Sequence, residues 1–296
     1  MTAFAIVTVI HDSAPDLERL LDSVGRHLDP APPVIVVDSG SSDGGADLAR
    51  GRGAQVIALD GNRGFGAGCN AGLGRVQAPV TALVNPDVEL LDAGLAELAA
   101  EAADTDALLA PRLLNADGSV QDSVHPSPGR LEGLVPALLP RPLLPGRLRQ
   151  RYEPWRSDRP RPVGWAVAAC LVARTDLLRR LGPFDPDAFL FYEDMELCLR
   201  ARREGVPTLL RPQVALRHRG GASVGPALGD GDLQMRARRR REVVSREGRV
   251  PLLLDDIAEA ATYATRAAAR RLTGRGGEIE AARLRALREA RRRGAP

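Results

Sequence analysis

The chain has 296 residues, 44% hydrophobic and 27% charged, a composition that supports a buried core and excludes a disordered or collagen-like chain. Its three cysteines, an odd number with no C-x-x-C spacing, suggest neither a disulfide framework nor a zinc site and fit a reducing cytoplasm. All 41 basic residues are arginine, and the net charge of +3 hides a division: seventeen arginines against eight acids lie between Arg236 and Pro296, leaving a body of about −6 and a tail of about +9.

No basic region precedes an apolar stretch at the N-terminus, so no signal peptide is expected. The longest apolar run, Val163 to Ala173, lies between Arg161 and Arg174 and falls short of the ~20 residues that span a bilayer.

Phe4 to Ile10 is a continuous apolar, β-branched run and reads as a buried parallel strand. Asp12 or Ser13 then caps a helix with Pro15 in its first turn and Leu17, Leu20, Leu21, Val24 and Leu28 at helical spacing. Val34 to Val37 reads as a second strand, ending at Asp38 and the turn-rich segment to Gly44, with a short helix to Gly51. Gln55 to Leu59 is a third strand, a Gly-rich loop and helix follow through Val76, and Val80 to Val84 is a fourth strand running into Asn85-Pro86-Asp87. Alternating strand and helix predicts a doubly wound, mostly parallel α/β sheet flanked by helices, with ligands at the carboxyl ends of strands, where Asp38, Asn62 and Asp87 fall.

Asn115 to Gly118 predicts a hairpin-type turn, and His125 to Pro162 is Pro/Arg-rich and aperiodic, a long loop or lid suited to acceptor contact. Val163 to Ala173 is expected as one buried strand, with a short helix around Leu177 and a second helix from Glu193 to the stop at Gly205. A short strand ends at His218, and an Arg-rich helical tail follows from Met235.

Three acidic positions and a histidine carry the candidate chemistry. Asp87, just past a buried strand, is placed to hold a divalent cation through oxygen, though an ordinary helix cap fits its position equally well. Glu193 and Asp194 open a helix, where carboxylates often serve only as partners of the helix dipole. Phe189 to Tyr192 put them beside an apolar wall where a carboxylate becomes a better base, and their azimuths let only one face a substrate. His218 is a candidate metal ligand or a hydrogen-bonded structural residue. Gly66-Ala67-Gly68-Cys69-Asn70-Ala71 matches G-x-G-x-x-A and raises a nicotinamide dehydrogenase as the alternative class, but it turns off its strand late and is not the first strand-to-helix turn.

Together these residues resemble the family 2 glycosyltransferases, in particular the subgroup described as rhamnosyltransferases. The resemblance covers roughly residues 4 to 225 through Val36 to Gly44, Asn62 to Asn70, Asn85-Pro86-Asp87, Asp117-Gly118-Ser119, Phe184 to Asp194 and His218 to Ser223. It implies a GT-A fold in residues 1–230, nucleotide-binding over 1–111 and acceptor-binding over 112–230, with 231–296 as the helical tail. By family pattern Asp38 accepts a hydrogen bond from the pyrimidine, and Asn62, Gly64, Asn70 and Asn85 line the donor site. Asp87, helped by His218, holds Mg2+ or Mn2+, and Asp194 deprotonates the acceptor hydroxyl with Glu193 supporting it. The implied reaction is an inverting transfer from a nucleotide-sugar donor, with dTDP-L-rhamnose as the leading candidate, to a glycan or lipid-linked acceptor. Asn85 stands where many members carry aspartate, and Ala168 where glycine is usual.

The arginines of the tail lack interleaved aromatics, which argues against nucleic acid. Arg238 to Arg241 and the stretch from Arg266 to Arg293 are expected instead to draw the protein to anionic lipid on the inner membrane face, or to form a solvated helical arm or an oligomer contact.

Overall fold

The computed structural model describes residues 3–138, 151–182, 184–185, 189–220, 230–274 and 276–294. The chain divides into two compact units, one of residues 1–125 and 155–225, the other of 126–154 and 226–296.

In the first unit, β1 (Phe4–Ile10), β2 (Val34–Asp38), β3 (Gln55–Ala58) and β4 (Val80–Val84) form the parallel array that their apolar runs predict. Further along come β5 (Val88–Leu90), β6 (Leu108–Leu114), β7 (Val124–His125), β8 (Arg161–Val163), β9 (Trp165–Ala166), β10 (Cys170–Arg174) and β11 (Thr208–His218). Among the described residues the main sheet has nine strands in the order β3-β2-β1-β4-β10-β6-β11-β5, with β8 also on β11, while β7 and β9 pair separately. It is a mixed sheet: β6 and β11 run parallel, and β10 lies antiparallel between β4 and β6.

The segment from Val163 to Ala173 is three short strands, not one. Each piece pairs differently, β8 with β11, β9 with β7 and β10 with β4 and β6. Burial explains the apolar run, but apolarity carries no information about the two bends.

Helices α1 (Ala14–His27), α2 (Gly45–Gly51), α3 (Gly64–Leu73) and α4 (Gly94–Ala103) flank the sheet. Leu20 and Val24 of α1, Leu28 just beyond it, and Leu95, Leu98 and Ala102 of α4 join Ile6, Ala82, Val84, Leu109 and Leu216 in one core cluster. Truncating a fully buried leucine there costs about 2–5 kcal/mol. On α3 the glycines serve packing: a Cβ on Gly68 would stand 2.6 Å from Val9 Cγ1, so the helix lies hard against β1. That accounts for the Gly-rich match without a dinucleotide.

The second unit carries α5 (Leu134–Leu138), preceded by a 3-10 turn at Leu131–Gly133, and the C-terminal helices α8 (Asp230–Ser245), α9 (Arg249–Leu272) and α10 (Glu278–Arg292). Part of the expected loop from His125 to Pro162 is therefore helical, and α5 packs on α9, where Thr265 Oγ1 donates to the Ala137 carbonyl at 3.0 Å. Residues 139–150 of that loop lie outside the described residues. The tail folds into helices pinned by internal ion pairs: Arg240 grips Asp255 with two bonds of 2.8 Å, and Arg241 pairs with Asp256. Among the described residues no helix is long and apolar enough to cross a membrane.

Candidate active site

Strand register brings the candidate residues to one edge of the sheet in the first unit. Ile10 stands opposite Asp38 and Asp38 opposite Ala58, so the loops leaving β1, β2 and β3 emerge together. Asp38 is buried and its Oδ1 accepts the Ser41 N–H at 2.8 Å. Ser42 donates its N–H at 2.7 Å and its hydroxyl at 3.1 Å to Asp12 Oδ1, which holds the Asp12 carboxyl below the usual carboxylate value. His11 Nδ1 lies 3.0 Å from the Ser39 carbonyl, which can only accept, so that nitrogen carries the proton.

Asn62 turns the chain into α3, its Oδ1 accepting the Gly64 N–H at 3.0 Å. Gly64 has φ +81, and a Cβ there would fall 1.8 Å from the Phe189 carbonyl oxygen. No side chain fits, because the loop ahead of the second candidate acid passes directly over it. Asn70, expected at the nucleotide, has other partners: Nδ2 donates to the Phe184 carbonyl and Oδ1 accepts the Phe184 N–H, both at 2.9 Å. Its amide is a clamp between α3 and the loop leading to Asp194.

That loop ends in strain. Phe191 and Tyr192 have φ of +73 and +61, a left-handed conformation costing residues with side chains about 1–3 kcal/mol each. They deliver the chain into α7 (Glu193–Arg203), which follows α6 (Thr175–Leu181). Residues 186–188 of the Phe184 to Asp194 motif lie outside the described residues. Glu193 is buried, and its carboxylate adds to burial in raising the Cys69 thiol. Asp194 is half-buried, and its Oδ2 accepts the Ala168 N–H at 3.2 Å. The aromatic surroundings are Tyr192 edge-on to Trp165, whose ring stacks on His125 with centroids 4.2 Å apart, while Phe189 is half exposed.

The turn that holds Asp194 also holds Asn85. The carbonyl of Ala169 accepts the Asn85 N–H at 2.9 Å, beside the Ala168 N–H that reaches Asp194. Asn85 Oδ1 is buried without a hydrogen-bond partner. Asp87 is buried, its carbonyl accepts the Arg219 N–H, and its Oδ1 faces His218 Nε2 at 3.3 Å. The other face of the imidazole meets Gln121, with Nδ1 2.7 Å from Oε1. Gln121 Nε2 donates to Asn115 Oδ1 at 3.1 Å, and Asn115 donates its amide to Ser119 Oγ at 2.8 Å. This chain of bonds fixes the amide so that Oε1 faces the ring, Nδ1 carries the proton, and Nε2 is left turned to the Asp87 carboxylate. Two electron-rich atoms at 3.3 Å require a cation or a proton between them.

The carboxylate oxygen of Asp87 and the imidazole nitrogen of His218, with the unpartnered amide oxygen of Asn85 two residues earlier in the chain, are donors that suit a divalent ion completing its shell with phosphate and water. Among the described residues no cluster of three or more His, Cys, Asp or Glu is assembled. Gln121 was not among the residues selected from sequence. Its only signal is its place after Asp117-Gly118-Ser119, where the turn closes with the Asn115 N–H on the Ser119 carbonyl.

The sheet, the Asp87 strand end and the covering helices make this a GT-A glycosyltransferase fold. Over 97% of this chain and 85% of the other it is similar to the mannosyltransferase PcManGT from Pyrobaculum calidifontis, solved with GDP-Man and Mn2+, at 15% identity and TM-score 0.59. S. aureus TarS residues 1–349 in complex with UDP-GlcNAc gives a TM-score of 0.54 at 14% identity, over 99% of this chain and 92% of that one. A longer TarS chain is spanned over 43% of its length.

Residues 5–159 match the profile of glycosyl transferase family 2, and the chain belongs to that family. Among its curated relatives, an N-acetylglucosaminyl-diphospho-decaprenol L-rhamnosyltransferase of Mycobacterium tuberculosis is 29% identical over 74% of this chain and 77% of its own. The low-salt glycan biosynthesis hexosyltransferase Agl10 of Haloferax volcanii is 26% identical over 68% and 62%.

Proposed function

We propose that the protein transfers a sugar, with inversion, from a nucleotide diphosphate donor to a hydroxyl of a glycan or polyprenyl-linked acceptor in cell-envelope polysaccharide synthesis, at the cytoplasmic side. The donor proposed is dTDP-L-rhamnose, following the rhamnosyl relative. Asp194 acts as general base. Its half-buried carboxylate is oriented by the Ala168 N–H, on the turn whose next residue holds Asn85, and this shared turn is the observation that carries the reading. One base and no carboxylate nucleophile is what a single in-line displacement needs.

Asp38, Asn62 and Gly64 border the nucleotide. Asp87 and His218, with Asn85 two residues earlier in the chain, would hold Mg2+ or Mn2+, which neutralises charge on the departing diphosphate. Gln121 keeps His218 Nε2 turned toward Asp87. Asn70 acts at one remove, by tying the loop ahead of Asp194 to α3. Glu193 supports the helix start from its buried position. The division proposed from sequence, 1–230 for transfer and 231–296 for the tail, goes with this reading.

A thermal-shift series with dTDP-rhamnose, UDP-GlcNAc and GDP-mannose, each with Mg2+ or Mn2+, tests the donor, since ligand bound only by the folded state raises Tm. A rise with dTDP-rhamnose alone is expected. A rise with another donor and none with dTDP-rhamnose would overturn the rhamnose assignment.

A further inference from the structure

Of the arginines expected to meet lipid, the run Arg239 to Arg241 is turned inward, while Arg238, Arg270, Arg271, Arg285, Arg288 and Arg291 to Arg293 are exposed. Arg239 and Arg241 are buried, and Arg240 is spent on Asp255. Between its terminal arginines α9 turns a largely apolar face to solvent. Val250, Leu253 and Ile257 recur at i, i+3 and i+7, on one face, and are 68%, 51% and 42% exposed. Helical geometry continues that face through Ala264 and Ala268, both exposed. The acids of the helix point the other way: Asp255 and Asp256 are buried against the arginines of α8. Charged groups inside and apolar groups outside is the reverse of the usual order for a surface helix. The segment of Leu131 and Leu138, packed along α9, adds two more exposed leucines.

Charge selects the occupant. The second unit carries 22 arginines against 12 acids, a net +10. A second copy would bring the same positive unit against itself, and like-charge repulsion opposes that contact. An anionic lipid surface offers both what the apolar face requires and what the charge attracts. Exposed Arg249 and Arg271 stand at the two ends of the helix, long enough to reach headgroups while the face between them is buried. We propose that the outward face of α9, centred on Val250, Leu253 and Ile257, lies in the interface of an anionic bilayer and holds the protein peripherally to it. The proposal does not rest on the transfer chemistry.

The test is co-sedimentation of the full chain with vesicles of phosphatidylcholine alone, or of phosphatidylcholine with roughly one third phosphatidylglycerol. Expected are binding to the mixed vesicles, weakening with salt, and partition reduced on the order of tenfold or more in the double variant Leu253→Glu/Ile257→Glu. Both positions are exposed, so the variant should keep its circular dichroism melt and its donor binding. A milder pair, Val250→Ser with Leu253→Ser, repeats the measurement should the melt change. Failure of the parent to bind anionic vesicles, or equal binding by folded variants, overturns the proposal. A parent dimer in sedimentation velocity that the variant abolishes, with no vesicle binding, assigns the face to a second copy instead.

Discussion

His218 Nε2 lies 3.3 Å from Asp87 Oδ1 because β5 and β11 run antiparallel with His218 opposite Val88, the residue after Asp87. The ring is held from behind by Gln121, so the pair is preset rather than assembled on binding.

For the metal side, Asp87→Ala should abolish Mn2+ binding read by electron paramagnetic resonance, and chelator should remove metal-dependent donor affinity. Gln121→Leu leaves the carboxylate and imidazole in place but frees the ring, so Mn2+ affinity should drop about 10–100-fold. Gln121→Glu, which still accepts from Nδ1, should retain it. Wild-type affinity in Gln121→Leu would show that Gln121 does not orient the ligand.

For the base, Asp194→Asn keeps the shape and can still accept the Ala168 N–H, but it cannot take a proton. Turnover should fall by about 10²–10⁴ while donor affinity, measured by calorimetry, holds. Undiminished kcat in this variant would remove Asp194 from the chemistry.

Asn70→Ala separates a clamp from a donor contact. Leaving the Phe184 N–H and carbonyl without partners should lower stability by about 1–3 kcal/mol in urea titration. The loop before Asp194 should loosen, so kcat drops with little change in donor Kd. A large loss of donor affinity with intact kcat would return Asn70 to the nucleotide.

The buried thiols set an alkaline limit. Burial pushes the Cys198 thiol from 9.0 up to about 12 and raises Cys69 as well. The folded state keeps these protons while the unfolded chain gives them up, so stability is fully present below pH ~9 and is lost as pH rises toward ~12. Each such thiol contributes about 1.4 kcal/mol per pH unit within that window. Tm should therefore decline above pH ~9, and a thiol reagent at pH ~8 should label Cys69, Cys170 and Cys198 only after unfolding. Prompt labelling of native protein would contradict the burial.

Sequence by itself determined the strands and helices whose burial is continuous. The apolar runs at Phe4–Ile10 and Val80–Val84, the helical period of α1 and the stop at Gly205 follow from local side-chain chemistry, which each residue carries wherever it lies. It also brought out Asp87 and Asp194 as acids at a strand end and a helix start. Only the tertiary structure decided what these acids meet: Ala168 reaching Asp194, Ala169 reaching Asn85, Gln121 behind His218 and the Asn70 clamp on Phe184. The same holds for the tail, where packing kept many arginines exposed but buried Arg239, Arg241, Asp255 and Asp256 and turned Val250, Leu253 and Ile257 outward. The physical reason is common to all of these. A hydrogen bond or an ion pair depends on where a distant segment is brought by the sheet, and periodicity along the chain holds no record of distances across it.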